Sequence, residues 1–542
     1  MPSRRPLYLR SYLLAPLFVA GCSIAVGIWT GGHASAASPN DDSVSQSTKS
    51  FTSVYDAVEQ NFADKVDADK AIYNGAIPGM LRTLDPHSNF FDPKAYAALR
   101  EDQRGQYYGV GMQVGPRNSK TMVMWPFENS PAYRAGLRPG DVIVQVNDKK
   151  TETLNTTEIA ELLKGPRGTK VQVTVAREGN TKNISYDIVR DAIARPSVPE
   201  AIWLKPGIAY INVTQFGENT SKEFEEQFRK LGENNIKGLV LDLRGNPGGL
   251  LNEGVEVAGH FLKKNDLVVS HRGRAQPNKN YYAKSDNGGR SYPVVVVVNR
   301  SSASAAEIVT GALQDHDRAW VLGEPTFGKG LVQTVFPLSE NTGLALTTAH
   351  YYTPSGRLIQ RDYSNISFLD YYYGNRAEHK DLSDVKMTDA GRTVYGGGGI
   401  TPDEKFEADK LNKFQIELLR KYGFFNFTAQ YFGPKADPRM PKGWDPGEEV
   451  VNQFHDYLMK NGFEFTEADF TANHQWVKEQ LKREMYITAF SWEQSVRVNI
   501  QQDPEVARAV EAMPKAVTLL DNAKKLLVQR VSQQERLAAV QH

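Results

Sequence analysis

Three short segments of the chain carry residue types and spacings that could support acyl-transfer chemistry. In one of them, the apolar run Val294–Val298 leads into the small-residue segment Ser302–Ile308, which predicts a strand, a tight turn and the start of a helix. A serine at a helix N-terminus can act as a nucleophile, because small neighbours let a substrate backbone approach and the helix dipole favours developing negative charge. By itself, such a serine is more often a helix cap.

The second segment is the glycine-rich loop Arg244–Gly249, which follows the predicted buried strand Leu239–Leu243. Its unpaired N–H groups would lie at the carboxyl end of a sheet, where an oxyanion or a phosphate is stabilised. The loop alone leaves both uses open.

The third segment, Gly323–Gly330, contains Lys329 and nearly fits the phosphate-binding Walker A pattern. The fit fails because Gly330 replaces the hydroxyl residue that would hold magnesium. A lysine in a tight apolar loop can instead serve as a general base, since burial lowers its pKa from about 10.4 toward neutrality. Such a lysine can activate a serine.

A fourth segment predicts peptide binding. Two glycines bracket an apolar residue in Tyr108–Met112, so that consecutive N–H groups can point into one concavity and capture a terminal carboxylate. The segment Ser130–Asn147 and a later helix, beginning at Asn155 with a capping-box partner at Glu158, add weight to this interpretation. Together they resemble a PDZ domain, in which a peptide lies between such a strand and such a helix. The predicted peptide-binding residues are Gly109, Val110, Gly111 and Met112.

Composition narrows the class of protein. In 542 residues, 64 Lys and Arg balance 63 Asp and Glu, which argues against a nucleic-acid binder. The single cysteine, Cys22, excludes an intramolecular disulfide and a cysteine-based zinc site in the body of the chain. At roughly 100 to 200 residues per domain, the length predicts three or four units.

The first 37 residues read as an export signal or a membrane anchor. Basic residues precede the uncharged run Tyr12–Trp29, which is followed by Ala34–Ala37. Three fates fit this pattern: cleavage after Ala36, retention as an anchor, or lipidation at Cys22. All three predict a body outside the cytoplasm, and residues 38–50, which are rich in Ser, Asp and Asn, predict a flexible linker.

The rest of the chain divides by pattern into a helical subdomain at 51–105, a β-rich domain at 106–190, an α/β core at 191–405 and a helical extension at 406–542. In the extension, apolar residues recur every seven positions at Val506, Met513, Leu520 and Leu527. Helices packed on their own domain explain this seam better than a dimerising coiled coil, because the seam is short.

Taken as an ordered set, the motifs resemble the carboxy-terminal processing (tail-specific) protease family. The set consists of LDPHS at 84–88, the PDZ-like segment, LVLDLRGNPGG at 239–249, SSASAAEIVTGALQD at 301–315, TFGKGLVQ at 326–333, TTAHYYTPSGR at 347–357 and GGGITPD at 397–403. The likeness runs from about residue 51 to 405. It implies a multidomain α/β protein with a crotonase-like protease core, an inserted β-rich PDZ domain, an N-terminal helical subdomain and a helical C-terminal extension.

The resemblance also implies a site that needs no metal or cofactor. Its members are the nucleophile Ser304, the base Lys329, Gln333 supporting that lysine, the acidic helper Glu307, and oxyanion N–H donors from Ala305 and from either Gly248 or Gly249. Two departures from the family pattern are His350, where many members carry lysine, and an apparent extra loop at 361–394. Neither is expected to touch the proposed dyad. We find no spacing that would support a Ser-His-Asp triad among the histidines His87, His271, His316 and His350.

These features predict an exported serine endopeptidase of the bacterial cell envelope that recognises unstructured C-terminal ends of envelope proteins and cleaves near them. Membrane contact is expected only through the N-terminal segment, and the C-terminal helices are candidates for an adaptor or for self-association. The alternatives are a PDZ-bearing scaffold with an inactive protease domain, disfavoured because the whole residue set is present, and an NTPase, disfavoured by Gly330.

Overall fold

The computed structural model describes residues 41–540, apart from 118, 276, 287–289, 365, 375–380, 434–437 and 439. The predicted signal or anchor at 1–37, including Cys22, lies outside the described residues. No helix within them has the length and apolarity to cross a bilayer. The chain forms two compact units. One unit contains Ser197–Lys405, the residues up to Arg104 and the residues from Ala512 onward. The other contains Gly105–Pro196 and Phe406–Glu511.

The N-terminal region is helical, and its first helix begins earlier than predicted. Its elements are α1 (Asp41–Asn61), α2 (Ala68–Ala71) with a π-helical turn at Ile72–Ala76, α3 (Ile77–Arg82), β1 (Asn89–Phe91) and α4 (Pro93–Arg104). The prediction of a flexible linker at 38–50 is therefore wrong from Asp41 onward. The hydroxyl of Thr48 bonds back to the carbonyl of Val44 at 2.8 Å, so this side chain does not divert the backbone from the helix.

The β-rich region forms a small sheet closed by one longer helix. Its elements are β2 (Gln106–Gly109), β3 (Met112–Arg117), β4 (Lys120–Pro126), α5 (Pro131–Ala135), β5 (Val142–Val146), β6 (Lys149–Lys150), α6 (Thr156–Leu163), β7 (Lys170–Ala176), β8 (Ile184–Val189) and β9 (Asp191–Ala194). The sheet order is β3-β4-β5-β7-β8, and β2 pairs with β9. Asn155 caps α6 through the predicted capping box with Glu158.

The α/β core consists of two sheets with helices packed against them. Its elements are β10 (Glu200–Lys205), β11 (Ile208–Asn212), α7 (Thr220–Leu231), β12 (Gly238–Asp242), α8 (Leu251–Gly259), β13 (Leu267–Arg272), β14 (Lys279–Tyr282), β15 (Val294–Val298), α9 (Ala305–Asp315), β16 (Trp320–Gly323), β17 (Leu331–Pro337), β18 (Gly343–Tyr352), α10 (Phe368–Tyr373), β19 (Asp381–Met387), β20 (Thr393–Gly396) and β21 (Glu404–Lys405). Short 3₁₀ turns lie at Glu233–Asn235 and Ser339–Asn341.

The larger core sheet has the order β10-β11-β12-β15-β16-β21, and all its pairs except β10–β11 are parallel. Every residue of β12 and β15 is buried, which explains their nearly continuous apolar sequences. The second sheet has the order β1-β18-β13-β14, with β17 paired to β18. The carboxyl ends of β12 and β15 therefore bring the glycine-rich loop and the serine turn to one edge.

The C-terminal region is helical, and its part up to Glu511 lies in the same compact unit as the β-rich region. Its helices are α11 (Lys413–Arg420), α12 (Gly423–Phe432), α13 (Glu448–Lys460), α14 (Glu467–Ala472), α15 (His474–Ala489), α16 (Trp492–Gln502), α17 (Pro504–Glu511) and α18 (Met513–Val540). The guanidinium of Arg117 lies 4.5 Å from the ring centre of Tyr422 and 4.6 Å from that of Phe425. The indoles of Trp125 and Trp492 stack at 5.5 Å.

The seven-residue seam packs at least partly on its own chain. Val506 and Met513 are buried, and the Met513 side chain lies against Gly238 of the core. Pro514 does not break the helix, because it occupies the first turn of α18, where a proline costs no hydrogen bond.

Candidate active site

Ser304 stands at the turn between β15 and α9 in an unusual backbone conformation. Its φ is 54° and its ψ is −114°, a combination that costs a non-glycine residue about 1–3 kcal/mol and persists only where the surroundings enforce it. The residue is only 4% exposed. Ala305 begins the helix, so its N–H group has no partner within α9.

The carboxylate of Glu307 fixes the backbone around both Ser304 and Lys329. Oε2 accepts hydrogen bonds from the N–H groups of Ser304 at 2.8 Å and Lys329 at 2.9 Å. Oε1 accepts from the Thr326 hydroxyl at 2.5 Å and from the Gly328 N–H at 2.7 Å. Burial raises the pKa of Glu307, and these four bonds counter that effect by favouring the ionised form.

A second group, the hydroxyl of Tyr351, joins the same two backbone segments. It lies 3.1 Å from the carbonyl oxygen of Ser304 and also hydrogen-bonds the carbonyl of Lys329. The ring is fully enclosed, and burial raises the pKa of this phenol well above its ordinary value. Tyr351 therefore remains a neutral donor that ties the serine turn to the lysine loop.

The amine of Lys329 is fully buried and is oriented by an amide. Nζ donates to Oε1 of Gln333 at 3.0 Å, and Nε2 of Gln333 donates to the carbonyl of His87 at 2.5 Å. Since Nε2 is committed to that carbonyl, Oε1 must face the lysine. Lys329 is 0% exposed and Gln333 1%, so water does not solvate the amine freely.

The glycine-rich loop lies directly against the serine turn. Asn246 holds it, because the Asn246 side chain donates to Val213 O at 2.8 Å and its carbonyl accepts from Ala303 N–H at 2.9 Å. A Cβ on Gly248 would lie 2.7 Å from that of Ser304, and Gly249 has a φ of 142°. Both positions therefore require glycine.

The two glycines differ in the use of their N–H groups. The Gly248 N–H donates to Asn246 Oδ1 at 2.8 Å. In the part of the chain that the structure describes, no acceptor is found for the N–H groups of Gly249 or Ala305. Of the two loop glycines, Gly249 is thus the one whose N–H donor is left available.

The loop at 361–394 lies closer to this site than expected. The Arg361 N–H donates to Gly328 O at 2.9 Å, and the Arg361 guanidinium lies 4.6 Å from the Phe327 ring centre. Tyr371 and Tyr372 of α10 join Ala303 and Phe327 in one buried cluster. This loop therefore packs on residues immediately beside Ser304 and Lys329.

The histidines make other contacts. His316 caps the far end of α9 and bonds Asp389 at 2.8 Å, which raises its pKa to about 9 despite burial. His271 bonds Tyr281 at 3.2 Å, and His350 pairs with Leu331 across β17 and β18. His87 is close to Lys329, but tyrosine hydroxyls occupy both of its ring nitrogens.

The predicted peptide-binding segment lies at the edge of the β-rich sheet. Gly109, at the start of this segment, is the last residue of β2. The carbonyl of Val110 accepts a hydrogen bond from the Ala132 N–H group at 2.8 Å, and the carbonyl of Gly111 accepts one from the Phe127 N–H group at 3.0 Å. The latter bond makes Met112 and Pro126 a non-hydrogen-bonded pair, so the Met112 N–H points away from β4. Because β3 is the terminal strand and α6 packs near it, an extended peptide could add there.

Sequence reasoning gave no role to several residues that hold this site. They are His87, Asn246, Thr326, Tyr351, Tyr371 and Tyr372. The first four lie inside the motifs quoted above, so their positions in those motifs could have marked them as part of the site. The two tyrosines lie outside them, and no local pattern marks their contacts.

The chain is similar to proteins of known families. The profile of Peptidase family S41 matches residues 207–365, and that of the PDZ domain matches residues 122–177. The carboxy-terminal-processing protease of Bartonella bacilliformis is 37% identical over 348 residues, which cover 63% of this chain and 79% of that protein. The carboxy-terminal processing protease CtpB of Bacillus subtilis is 33% identical over 310 residues, or 57% and 64% of the two chains.

Among solved structures, a photosystem II D1 C-terminal processing protease has 27% sequence identity and a TM-score of 0.35, covering 73% of this chain and 92% of that one. The relative from Bartonella bacilliformis is similar over most of its own length, and the two profiles fall on the α/β core and the β-rich region in the expected order. On these grounds the chain belongs to the carboxy-terminal processing proteases of peptidase family S41.

Proposed function

We propose that this protein is a serine endopeptidase that uses Ser304 as nucleophile and Lys329 as general base. One observation carries the proposal: the Glu307 carboxylate accepts hydrogen bonds from the N–H groups of both residues. A single buried carboxylate thereby fixes the serine turn and the lysine loop against each other. The buried Lys329 amine fits this role, because burial disfavours the ammonium form of a lysine and so favours a base that can accept a proton.

The reaction is acyl transfer. Ser304 Oγ attacks the scissile carbonyl while the Lys329 amine takes its proton, and the resulting ammonium then protonates the leaving amine as the peptide bond breaks. Water, deprotonated by the same amine, hydrolyses the ester to regenerate Ser304. The N–H groups of Ala305 and Gly249 stabilise the oxyanion, since neither has another acceptor in the described residues. For Gly248 to donate to the oxyanion instead, its N–H group would first have to break its hydrogen bond to Asn246 Oδ1.

The PDZ-like region is proposed to bind the unstructured C-terminal ends of substrates and to gate their access. The outward-pointing Met112 N–H and the terminal position of β3 support strand addition at Gly109–Met112. The pattern at 1–37 supports an exported protein, and envelope proteins are the substrate class that such a location would offer.

Amidating the C-terminus of a substrate peptide is expected to weaken its binding by about 1.5–3 kcal/mol, the scale of a charge-assisted hydrogen bond. The free carboxylate is the group that the Gly109–Met112 backbone would hold, and amidation removes its charge. Fluorescence anisotropy with the Ser304→Ala protein measures binding without cleavage. Equal affinity of the amidated and free-acid forms of one peptide would place C-terminal recognition elsewhere on the chain.

Activity is expected to rise with pH through the pKa of Lys329, because only the unprotonated amine can accept the serine proton. His87 does not complicate the alkaline range. Burial, followed by the charges of Lys329 and Arg361, lowers its pKa well below the ordinary value. A histidine with a lowered folded-state pKa costs stability only as the pH falls below about 6.5, its value in the unfolded chain. The rate of single-turnover cleavage, measured from about pH 7 to 10, reports the titration of the Lys329 amine. A rate that stays constant over this range would contradict Lys329 as the base.

A further inference from the structure

The His87 ring is enclosed by two tyrosines that come from a distant part of the chain. His87 is 0% exposed, its Nε2 lies 3.0 Å from the Tyr371 hydroxyl, and its Nδ1 lies 3.0 Å from the Tyr372 hydroxyl. Phe327, two residues before Lys329, packs edge-on to the same ring at 6.3 Å. The cluster therefore lies against the lysine loop.

One arrangement of protons satisfies every group in this cluster. Gln360 Nε2 donates to the Tyr371 oxygen at 3.3 Å, which leaves the Tyr371 proton for His87 Nε2. The Tyr372 hydroxyl donates to Pro86 O at 3.2 Å, so its oxygen accepts from His87 Nδ1–H. The imidazole is then neutral and carries its proton on Nδ1. A protonated ring would turn Nε2 into a donor, and the Tyr371 proton would then lose the imidazole nitrogen as its acceptor.

The backbone of His87 connects this cluster to the lysine. Its N–H donates to Asp85 Oδ1 at 2.7 Å, and its carbonyl accepts from Gln333 Nε2. Gln333 Oε1 in turn accepts from Lys329 Nζ. A shift of the His87 backbone would therefore release the Gln333 amide and with it the orientation of the amine.

The segment around α10 also holds the lysine loop from its other side. Gln360 Oε1 accepts from the Gly330 N–H at 2.8 Å, and Arg361 Nη2 donates to Tyr371 O at 2.6 Å. Tyr371 is 2% exposed and Tyr372 is 7% exposed, whereas the next residue, Tyr373, is 38% exposed and does not take part in the cluster.

We propose that Tyr371 and Tyr372 are positioning residues for Lys329: their hydroxyls lock His87, whose carbonyl orients Gln333 and thereby the amine. The inference rests on the proposed Ser304/Lys329 function. It adds α10, which lies outside the family motifs quoted above, to the machinery that sets the lysine. The hydroxyls matter here beyond the rings, because the rings alone would fill the same space without fixing the imidazole.

The variants Tyr371→Phe and Tyr372→Phe remove these hydroxyls and keep the rings, and Tyr373→Phe is the matched control on the same helix. Each of the first two is expected to lower kcat about tenfold, the effect of one lost buried hydrogen bond, with KM changed less than about twofold. Tyr373→Phe should match the wild type. Wild-type kcat in both buried variants, with melting temperatures showing that they fold, would overturn the proposal.

A second measurement does not depend on proteolysis. Competitive acetylation of the intact protein across pH, with peptide mass spectrometry, reports the titration of the Lys329 amine. Loosening Gln333 changes both the acceptor and the solvation of the amine, so the midpoint in Tyr371→Phe should differ from that of the wild type while that in Tyr373→Phe stays fixed. An unmoved midpoint would overturn the inference. Persistent cleavage by Ser304→Ala would instead overturn the proposed function alone.

Discussion

Replacing Ser304 or Lys329 with alanine is expected to lower the rate of peptide cleavage by about 10⁴-fold or more, and the double variant should be no slower than either single variant. Both residues serve one proton transfer, so the loss of either removes the whole step. The fold should survive, because Glu307 and Tyr351 contact the backbone rather than the side chains at these two positions.

The measurement is single-turnover cleavage of an unfolded reporter protein by purified variants, with circular dichroism and peptide binding as controls for folding. Ser301→Ala is a matched serine control, since Ser301 is an exposed residue of the same turn. It should cleave at the wild-type rate. Appreciable proteolysis by purified Ser304→Ala would end the assignment of the nucleophile, and full activity of Lys329→Ala would end that of the base.

The second large effect is expected from Glu307→Gln, which should lower the cleavage rate at least about 100-fold and reduce the melting temperature. Each carboxylate oxygen accepts from two donors, so either orientation of a glutamine amide places its NH₂ group against two of them. Leaving buried donors without acceptors costs about 1–3 kcal/mol each. The strained backbone of Ser304 would lose its principal restraint.

Glu324→Gln provides the control for this prediction, because Glu324 pairs at the surface with Arg300 at 2.5 Å. An exposed pair of that kind contributes less than about 1 kcal/mol, so the variant should keep its activity and stability. If Glu307→Gln has the cleavage rate and the melting temperature of the wild type, then the carboxylate does not hold the serine turn and the lysine loop in place. Its hydrogen bonds to Ser304 and Lys329 would then no longer support the proposed dyad.

Local sequence signals predicted most of the elements that carry the site. The apolar run Val294–Val298 is a strand with the same bounds, and Asn155 caps its helix as its side chain and Glu158 indicate. These features depend on neighbouring residues alone. The first turns of the helix Asp41–Asn61, residues 41–50, escaped prediction because polar composition indicated a linker, whereas hydroxyls such as that of Thr48 bond back to the helix.

The rest of the site depends on contacts that no local pattern encodes. Tyr371 meets His87 across 284 residues of sequence, and the φ of 54° at Ser304 follows from bonds made by residues on other segments. The same holds for Arg117, whose stacking on Tyr422 and Phe425 joins the β-rich region and the C-terminal helices into one compact unit. Such contacts depend on long-range packing, which the spacing of residues along the sequence does not predict.

The most direct test of Ser304 as nucleophile is a crystal structure of the protein soaked with a peptide boronic acid, which forms a tetrahedral adduct with an activated serine. We expect a covalent bond from boron to Ser304 Oγ, one boronate oxygen within hydrogen-bond distance of the Ala305 and Gly249 N–H groups, and another facing Lys329 Nζ. A boronate bonded to any other residue, or one whose oxygens face away from the serine turn, would contradict it.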